Sequence, residues 1–169
     1  CPAKFYYQVV RRLTPEDEVA ESLDAGSLGR VYHKVMYSLY GPLPVVGVAE
    51  LDRLLKDRRR LKDLVRRLIM EEMQTIDVSG RDLVVEEVIV EYVVRTLRYD
   101  RELLLRSGST GFGMLMLEKK MQGAFEGFRL KGFADRIDCY RGGEVRIVDY
   151  KTGRVEDEDI HITDDNAAG

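Results

Sequence analysis

Residues 131–151 read KGFADRIDCYRGGEVRIVDYK, two runs of alternating character on either side of Gly142-Gly143. Side chains along a strand alternate faces, so Phe133, Asp135, Ile137 and Cys139 share one side of the first run. Val145, Ile147, Asp149 and Lys151 share one side of the second. Two such runs about a glycine turn predict an antiparallel hairpin. Its register decides what it can do. A two-residue turn at Gly142-Gly143 would set Asp135 opposite Tyr150 and leave Asp135 and Asp149 on opposite faces. A three-residue connection, Arg141-Gly142-Gly143 with one glycine in the left-handed region, would set Asp135 opposite Asp149, and a bulge would do the same. For both acids to serve one site, an odd-length connection or a bulge is expected between residues 135 and 149.

Outward from the hairpin, Met114 to Met121 predicts a further strand, with a turn at Gln122-Gly123 and a loop over Ser107 to Gly113. Upstream the periodicity changes to helical. Leu28, Val31, Tyr32, Val35, Met36 and Leu39 fall on one face of a helix that Gly41-Pro42-Leu43-Pro44 ends. A second helix is expected with Leu51, Leu54, Leu55, Leu61, Leu64, Val65, Leu68 and Ile69 as its stripe. Leu83 to Leu105 is rich in valine, yet its length without a turn residue predicts a buried helix. The fold class is α/β in the mixed α+β sense: a helical N-terminal region packed on a small mixed sheet that ends in an antiparallel meander. One domain over 1–169 is expected, mainly helical over 1–106, with the sheet over 114–153 and an acidic tail over 154–169.

The chain of 169 residues is long enough to bury a core. No apolar run approaches the roughly 20 residues that span a bilayer, so no membrane partner is expected. Two cysteines, Cys1 and Cys139, are too few for a disulfide framework, which points to a reducing, cytoplasmic setting. The start at Cys-Pro without an initiator Met reads as a piece of something longer. A net charge of −3 argues against indiscriminate nucleic-acid binding, but the cations cluster: Arg53, Lys56, Arg58, Arg59, Arg60, Lys62, Arg66 and Arg67 crowd one segment. Such a stripe can hold phosphates while carboxylates elsewhere hold a metal. It is equally the solvated face of a leucine-striped helix.

Asp149 and Lys151, two apart on a strand, are the minimum for metal-assisted hydrolysis, with a carboxylate for a hard cation and an amine to orient or deprotonate water. An isolated Asp-x-Lys is ordinarily just an exposed ion pair. The preceding strand changes this, because Asp135 stands among Phe133, Ile137 and Cys139, where a lone carboxylate is costly. Asp138 points the other way and reads as a solvent-side charge paired with an arginine. Glu118 shares a face with Met116 and Lys120, a third acid in an apolar run. His33 sits off its helix's apolar stripe beside Gly26, Gly29 and Tyr40, glycines that let another backbone approach. A lone histidine is also commonly a plain surface or core residue, and His161 in the acidic tail reads as one. Tyr6, Tyr7, Tyr37 and Tyr40 could stack on bases or simply pack in the core.

Gly132-Phe-Ala-Asp135-Arg-Ile-Asp138 followed by Val148-Asp149-Tyr150-Lys151-Thr152-Gly153 closely resembles the nuclease domains of the RecB/AddB group of the PD-(D/E)XK superfamily. Cys1-Pro-Ala-Lys-Phe5 resembles the segment that opens the AddB nuclease domain, and Ala25-Gly-Ser-Leu-Gly29-Arg-Val-Tyr-His33 its histidine-bearing helix. The resemblance implies a restriction-endonuclease-like core and a site for Mg²⁺ or Mn²⁺ made by His33, Asp135, Asp149 and the Tyr150 carbonyl. Lys151 would be catalytic and Glu118 would assist. Two features depart from the pattern. The Gln-x-x-x-Tyr helix usual after the lysine is missing from the eighteen residues beyond Lys151, so a C-terminal truncation is expected. Some AddB-like members hold an iron–sulfur cluster on four cysteines, and with only Cys1 in a matching place this chain alone does not support one. Either the rest was cut away or Cys1-Pro2 packs in a core.

The resulting expectation is a metal-dependent deoxyribonuclease, exonuclease-type and AddB-like, acting on DNA in repair or recombination beside a helicase subunit or fused helicase domain. Arg58, Arg59, Arg60, Arg66 and Arg67 would contact its phosphates. The alternative from another class is a non-catalytic DNA-binding or partner-docking module that retained the nuclease fold.

Overall fold

The computed structural model describes residues 23–125, 128–140 and 143–153. The Cys1 to Tyr7 segment, His161 and the acidic tail lie outside them. The first described helix, α1 (Ala25–Tyr40), starts where the Asp24 carboxylate accepts the Ser27 amide at 2.6 Å. It buries Val31, Tyr32, Val35 and Met36 of the predicted face, with Leu28 and Leu39 partly buried, and also Tyr40, which the sequence placed off that face; it ends as Gly41 donates to the Tyr37 carbonyl. A short strand, β1 (Val45–Gly47), follows.

The expected second helix is two, α2 (Val48–Lys56) and α3 (Arg58–Met73). Asp57 breaks the run by leaving helical geometry (φ −99°, ψ 63°) and capping α3 through the Arg60 amide at 3.0 Å. Every residue from Lys56 to Arg60 is charged, so no apolar side chain holds those turns on the core. The valine-rich segment is helical as predicted: α4 (Asp82–Ser107) is 26 residues long and buries Ile89, Val90, Val93, Val94, Leu97 and Leu104 at helical spacing. Gly108, at φ 63°, closes it. Among the described residues no helix is long and apolar enough to cross a membrane.

The last three strands are β2 (Gly111–Phe125), β3 (Phe128–Tyr140) and β4 (Val145–Val148), and the sheet order is β1-β2-β3-β4. Every described pairing is antiparallel, so the predicted meander accounts for the described sheet, without the parallel pairing a mixed sheet would add. The expected loop over Ser107 to Gly113 shortens to 108–110. Gly111 already pairs with Gly47, and a Cβ there would come within 2.8 Å of the Val46 carbonyl oxygen. Gln122-Gly123 is not a turn: these residues pair with Lys131 and Leu130, and β2 runs on to Phe125. A glycine without positive φ is compatible with a strand, and the pairing partners upstream of Lys131 extend the hairpin past it.

The decisive connection is odd-length. Cys139 pairs with Val145, the Tyr140 amide donates to the Glu144 carbonyl at 2.9 Å, and Gly143 takes φ 85°. Three residues therefore link the strands, with the glycine in the left-handed region, and Arg136 faces Val148. The helices cover the face bearing Arg136 and Asp138. Asp138 is thus fully buried, a correction to its solvent-side reading, although its partner is indeed an arginine: Arg146 reaches it at 2.8 and 3.1 Å. On the opposite phase Phe133, Val145 and Ile147 are largely exposed.

A buried polar network joins helices to sheet. Asp100, about two turns before the end of α4, accepts both terminal nitrogens of Arg136 at 2.8 and 2.9 Å, Arg146 at 2.9 Å and the Tyr40 hydroxyl at 2.6 Å. The Arg136 guanidinium lies over the Tyr40 and Phe112 rings at 4.8 and 5.2 Å. Its Nε lies 2.9 Å from Asp138 Oδ2, close enough for an ion pair but too poorly angled to be a hydrogen bond. Burial alone would raise the Asp100 pKa. The Arg136 hydrogen bonds and charge, Tyr40 and Arg146 outweigh it and hold the group below its ordinary 3.8.

Breaking one partner of a buried pair leaves the other charge uncompensated. Asp100→Asn should therefore lower the unfolding free energy by about 3–5 kcal/mol in urea denaturation. The folded state binds the Asp100 proton less readily than the unfolded one, so this stabilisation is full above 3.8 and disappears as pH falls through the lowered value. Acid titrations of stability should be shallower in Asp100→Asn than in wild type. Identical slopes would show that Asp100 is not ionised in the fold.

Candidate active site

Register sets two of the three predicted acids, Glu118 and Asp135, in one transverse row. Leu117 pairs with Arg136 and Lys119 with Ala134, which puts Glu118 opposite Asp135. Asp149 follows the last β3–β4 pair, Arg136–Val148, and lies just past the end of β4 without a strand partner. The shift between Met114 and Met116, a bulge at Leu115, sets the phase of Glu118. Glu118 itself has φ 44°, a left-handed conformation that costs a non-glycine residue in mid-strand.

His33 enters this row from α1. Its Nε2 lies 3.1 Å from the Tyr150 carbonyl oxygen and its Nδ1 lies 3.4 Å from Asp135 Oδ1. The other Asp135 oxygen accepts the Tyr150 amide at 2.5 Å. The Tyr150 ring packs edge-on against Tyr32 and His33, with centroids 5.4 and 5.7 Å apart. Burial pushes its hydroxyl pKa well above the ordinary value. Gly29 permits the approach that its place beside His33 predicts: a Cβ there would lie 3.3 Å from Thr152 Oγ1. His33, Asp135, Glu118 and Thr152 line one cleft of about 520 Å³.

Asp149 and Lys151 stand at the rim of this arrangement. Their side chains pair at 2.9 Å and are 54% and 64% exposed, so solvent reaches both. Asp149 lines a second cleft at the β4 edge together with Tyr150. The chain from Asp149 to Thr152 is therefore a ridge between two clefts. Among the described residues no group of three His, Cys, Asp or Glu side chains is close enough to hold a metal ion.

The donor chemistry nevertheless fits a hard cation. His33 offers a ring nitrogen, and the Tyr150 carbonyl and Asp135 carboxylate beside it are oxygen donors of the kind that Mg²⁺ and Mn²⁺ take. Asp149 lines the neighbouring cleft.

The arginines divide. Arg58 reaches Glu87 and Glu91 at 3.6 Å, and Arg66 grips Glu86 at 2.6 and 3.2 Å, so α4 acids engage both. Arg59, Arg60 and Arg67 form no side-chain ion pair among the described residues. Tyr40 is fully buried and cannot stack on a base, Tyr37 is half-exposed, and Tyr6 and Tyr7 lie outside the described residues. Sequence reasoning missed Asp100 and Arg146, which back the site. The available signal was an acid within the apolar run of α4 and arginines on the strand phase opposite Asp135 and Asp149.

Compared with known protein families, residues 1–167 match the model of the PD-(D/E)XK nuclease superfamily. The chain belongs to that superfamily. No curated protein and no solved structure matches it. The helical layer and four-stranded sheet are consistent with the restriction-endonuclease-like fold of PD-(D/E)XK proteins, whose members are nucleases.

The Gly29–Thr152 approach couples α1 to the residue after Lys151. In this PD-(D/E)XK chain, Gly29→Ala should slow DNA cleavage by about tenfold, since small displacements of reacting groups are costly, with little loss of thermal stability. Thr152→Ala, which removes the opposing oxygen, should restore much of the rate in the double variant. Full activity of Gly29→Ala would exclude α1 as the element that positions Lys151.

Proposed function

We propose that this chain is a metal-dependent deoxyribonuclease of exonuclease type, similar to the RecB/AddB group and acting in DNA repair or recombination with a helicase partner. The observation that carries the reading is Glu118 opposite Asp135 on β2 and β3, with His33 over Asp135 and the Asp149–Lys151 pair just past the end of β4. An ion pair at a strand edge needs none of the other three residues.

His33, Asp135, Asp149 and the Tyr150 carbonyl are the groups that would hold Mg²⁺ or Mn²⁺. Such an ion, when bound, supplies positive charge to phosphoryl oxygens and acidifies a bound water. Lys151, paired with Asp149, would present its amine to a phosphoryl oxygen and orient the attacking water. Its flexible stem and exposed position let it follow the substrate. Glu118, in the cleft with His33 and Asp135, assists in proton handling. Arg59, Arg60 and Arg67, the predicted phosphate contacts without an internal ion pair, remain for the DNA backbone, and binding through them weakens with salt.

Lys151→Ala and Asp149→Ala should each reduce cleavage of labelled DNA at least 100-fold, the scale on which a general acid–base or charge-stabilising group acts. Both side chains are exposed, so circular dichroism and the melting temperature should stay near wild type. Wild-type cleavage by purified Lys151→Ala would overturn the catalytic assignment. Cleavage should need Mg²⁺ or Mn²⁺ and stop on chelation. Tight stoichiometric zinc on Cys139 and His33 would instead overturn the hard-metal reading.

A further inference from the structure

The cleft on the β4 side of the ridge carries a second feature, outside the row of acids. About 470 Å³ in volume, it is lined by Arg95, Thr96 and Tyr99 of α4 and by Arg146, Asp149 and Tyr150. Arg95 and Tyr99 are one helical turn apart and so project side by side. The Tyr99 ring is 63% exposed and makes no hydrogen bond or ring contact among the described residues. The Arg95 side chain is 72% exposed, and its ion pair with Glu91, one turn back, is a loose 3.5 Å. Neither side chain contributes to the core, yet both face the cleft that contains Asp149.

A planar ring left in solvent beside a guanidinium is the combination that holds an unpaired nucleotide. The base stacks on the ring while the guanidinium takes the phosphate. The other side of the ridge repeats the pairing: Phe133 is 68% exposed, with the Lys120 amine 5.9 Å from its ring centroid. The cleft between α2 and α3 offers no such selectivity, since Arg53, Arg60 and Arg67 there face Glu50, Asp57 and Asp63 in equal number. A base inside a duplex is already stacked on its neighbours and cannot lie on Tyr99.

Resting on the reading of Asp149 and Lys151 as a DNA-cleaving site, we infer that Tyr99 and Arg95 form a nucleotide subsite. It receives an unpaired base and its phosphate next to the scissile bond, and it selects single-stranded DNA or a frayed end. Tyr99 and Arg95 are specificity-determining residues here and take no part in the bond-breaking step.

The test uses the full chain and a 5′-fluorescein oligonucleotide, single-stranded or in blunt duplex, with binding read by anisotropy in Ca²⁺ and cleavage read in Mg²⁺. Tyr99→Ala should weaken single-strand binding about tenfold, within the range for loss of one base–aromatic stack. Tyr99→Phe should bind as wild type, and duplex binding should not change. Arg95→Ala should lower the slope of log affinity against log salt by about 0.7, the value for one phosphate contact on a single strand. In cleavage, Tyr99→Ala should raise KM and leave kcat near wild type. Single-strand binding by Tyr99→Ala within twofold of wild type, equal losses for Ala and Phe, equal losses on duplex, or no single-strand binding by wild type would each overturn the subsite. Binding that depends on Tyr99 without any cleavage would support the subsite and overturn only the nuclease reading.

Discussion

A carboxylate on the buried face of a helix is tolerable only if cations reach it, and here the sheet supplies them. Asp100 accepts four hydrogen bonds, from Arg136, Arg146 and Tyr40, and thereby ties α4 to β3, β4 and α1 at one point. The desolvation of these groups is large enough that the pairing must be nearly complete to be offset. That requirement determines the phase of the hairpin. Arg136, Asp138 and Arg146 must face the helices, so Asp135 and Asp149 must occupy the other phase. A one-residue slip would leave Asp100 without its arginines and reverse every face.

The proposed reacting groups depend on this arrangement without belonging to it. Tyr150 joins the two regions: its amide and carbonyl engage Asp135 and His33, while its ring packs on Tyr32 and under the Arg136 guanidinium at 5.8 Å. The ridge from Asp149 to Thr152 is thus held from behind by aromatic and ionic contacts, while Asp149 and Lys151 stay exposed. The α3–α4 ion pairs have a related effect on the surface. Glu86, Glu87 and Glu91 draw Arg58, Lys62 and Arg66 toward α4, leaving Arg59, Arg60 and Arg67 as the available part of the basic segment.

Much of this was readable from local pattern. The apolar spacing of α1 and α4, the hairpin alternation, and the need for an odd-length connection all follow from strand and helix periods acting on neighbouring residues. The glycines beside His33 correctly indicated a close approach, now seen at Gly29 and Thr152. The Asp57 break was less legible, because a charged run interrupts the leucine stripe without a proline or glycine to mark it. The extension of β2 past Gly123 was hidden because a glycine serves in a strand as well as in a turn.

By itself the sequence determined which residues lie on one phase of each element: Asp135 with Ile137, Asp149 with Ile147, Arg136 with Asp138. It determined the superfamily as well, since each matching motif is a short run of neighbouring residues. Only the tertiary structure decided which phase is buried. That choice depends on where the helical layer lands, and the layer lands where Asp100, distant in sequence from Arg136 and Arg146, can meet both. Asp138 therefore became a core residue although its local pattern read as surface. For the same reason Tyr99 and Arg95, unremarked on their own helix, came to stand beside Asp149.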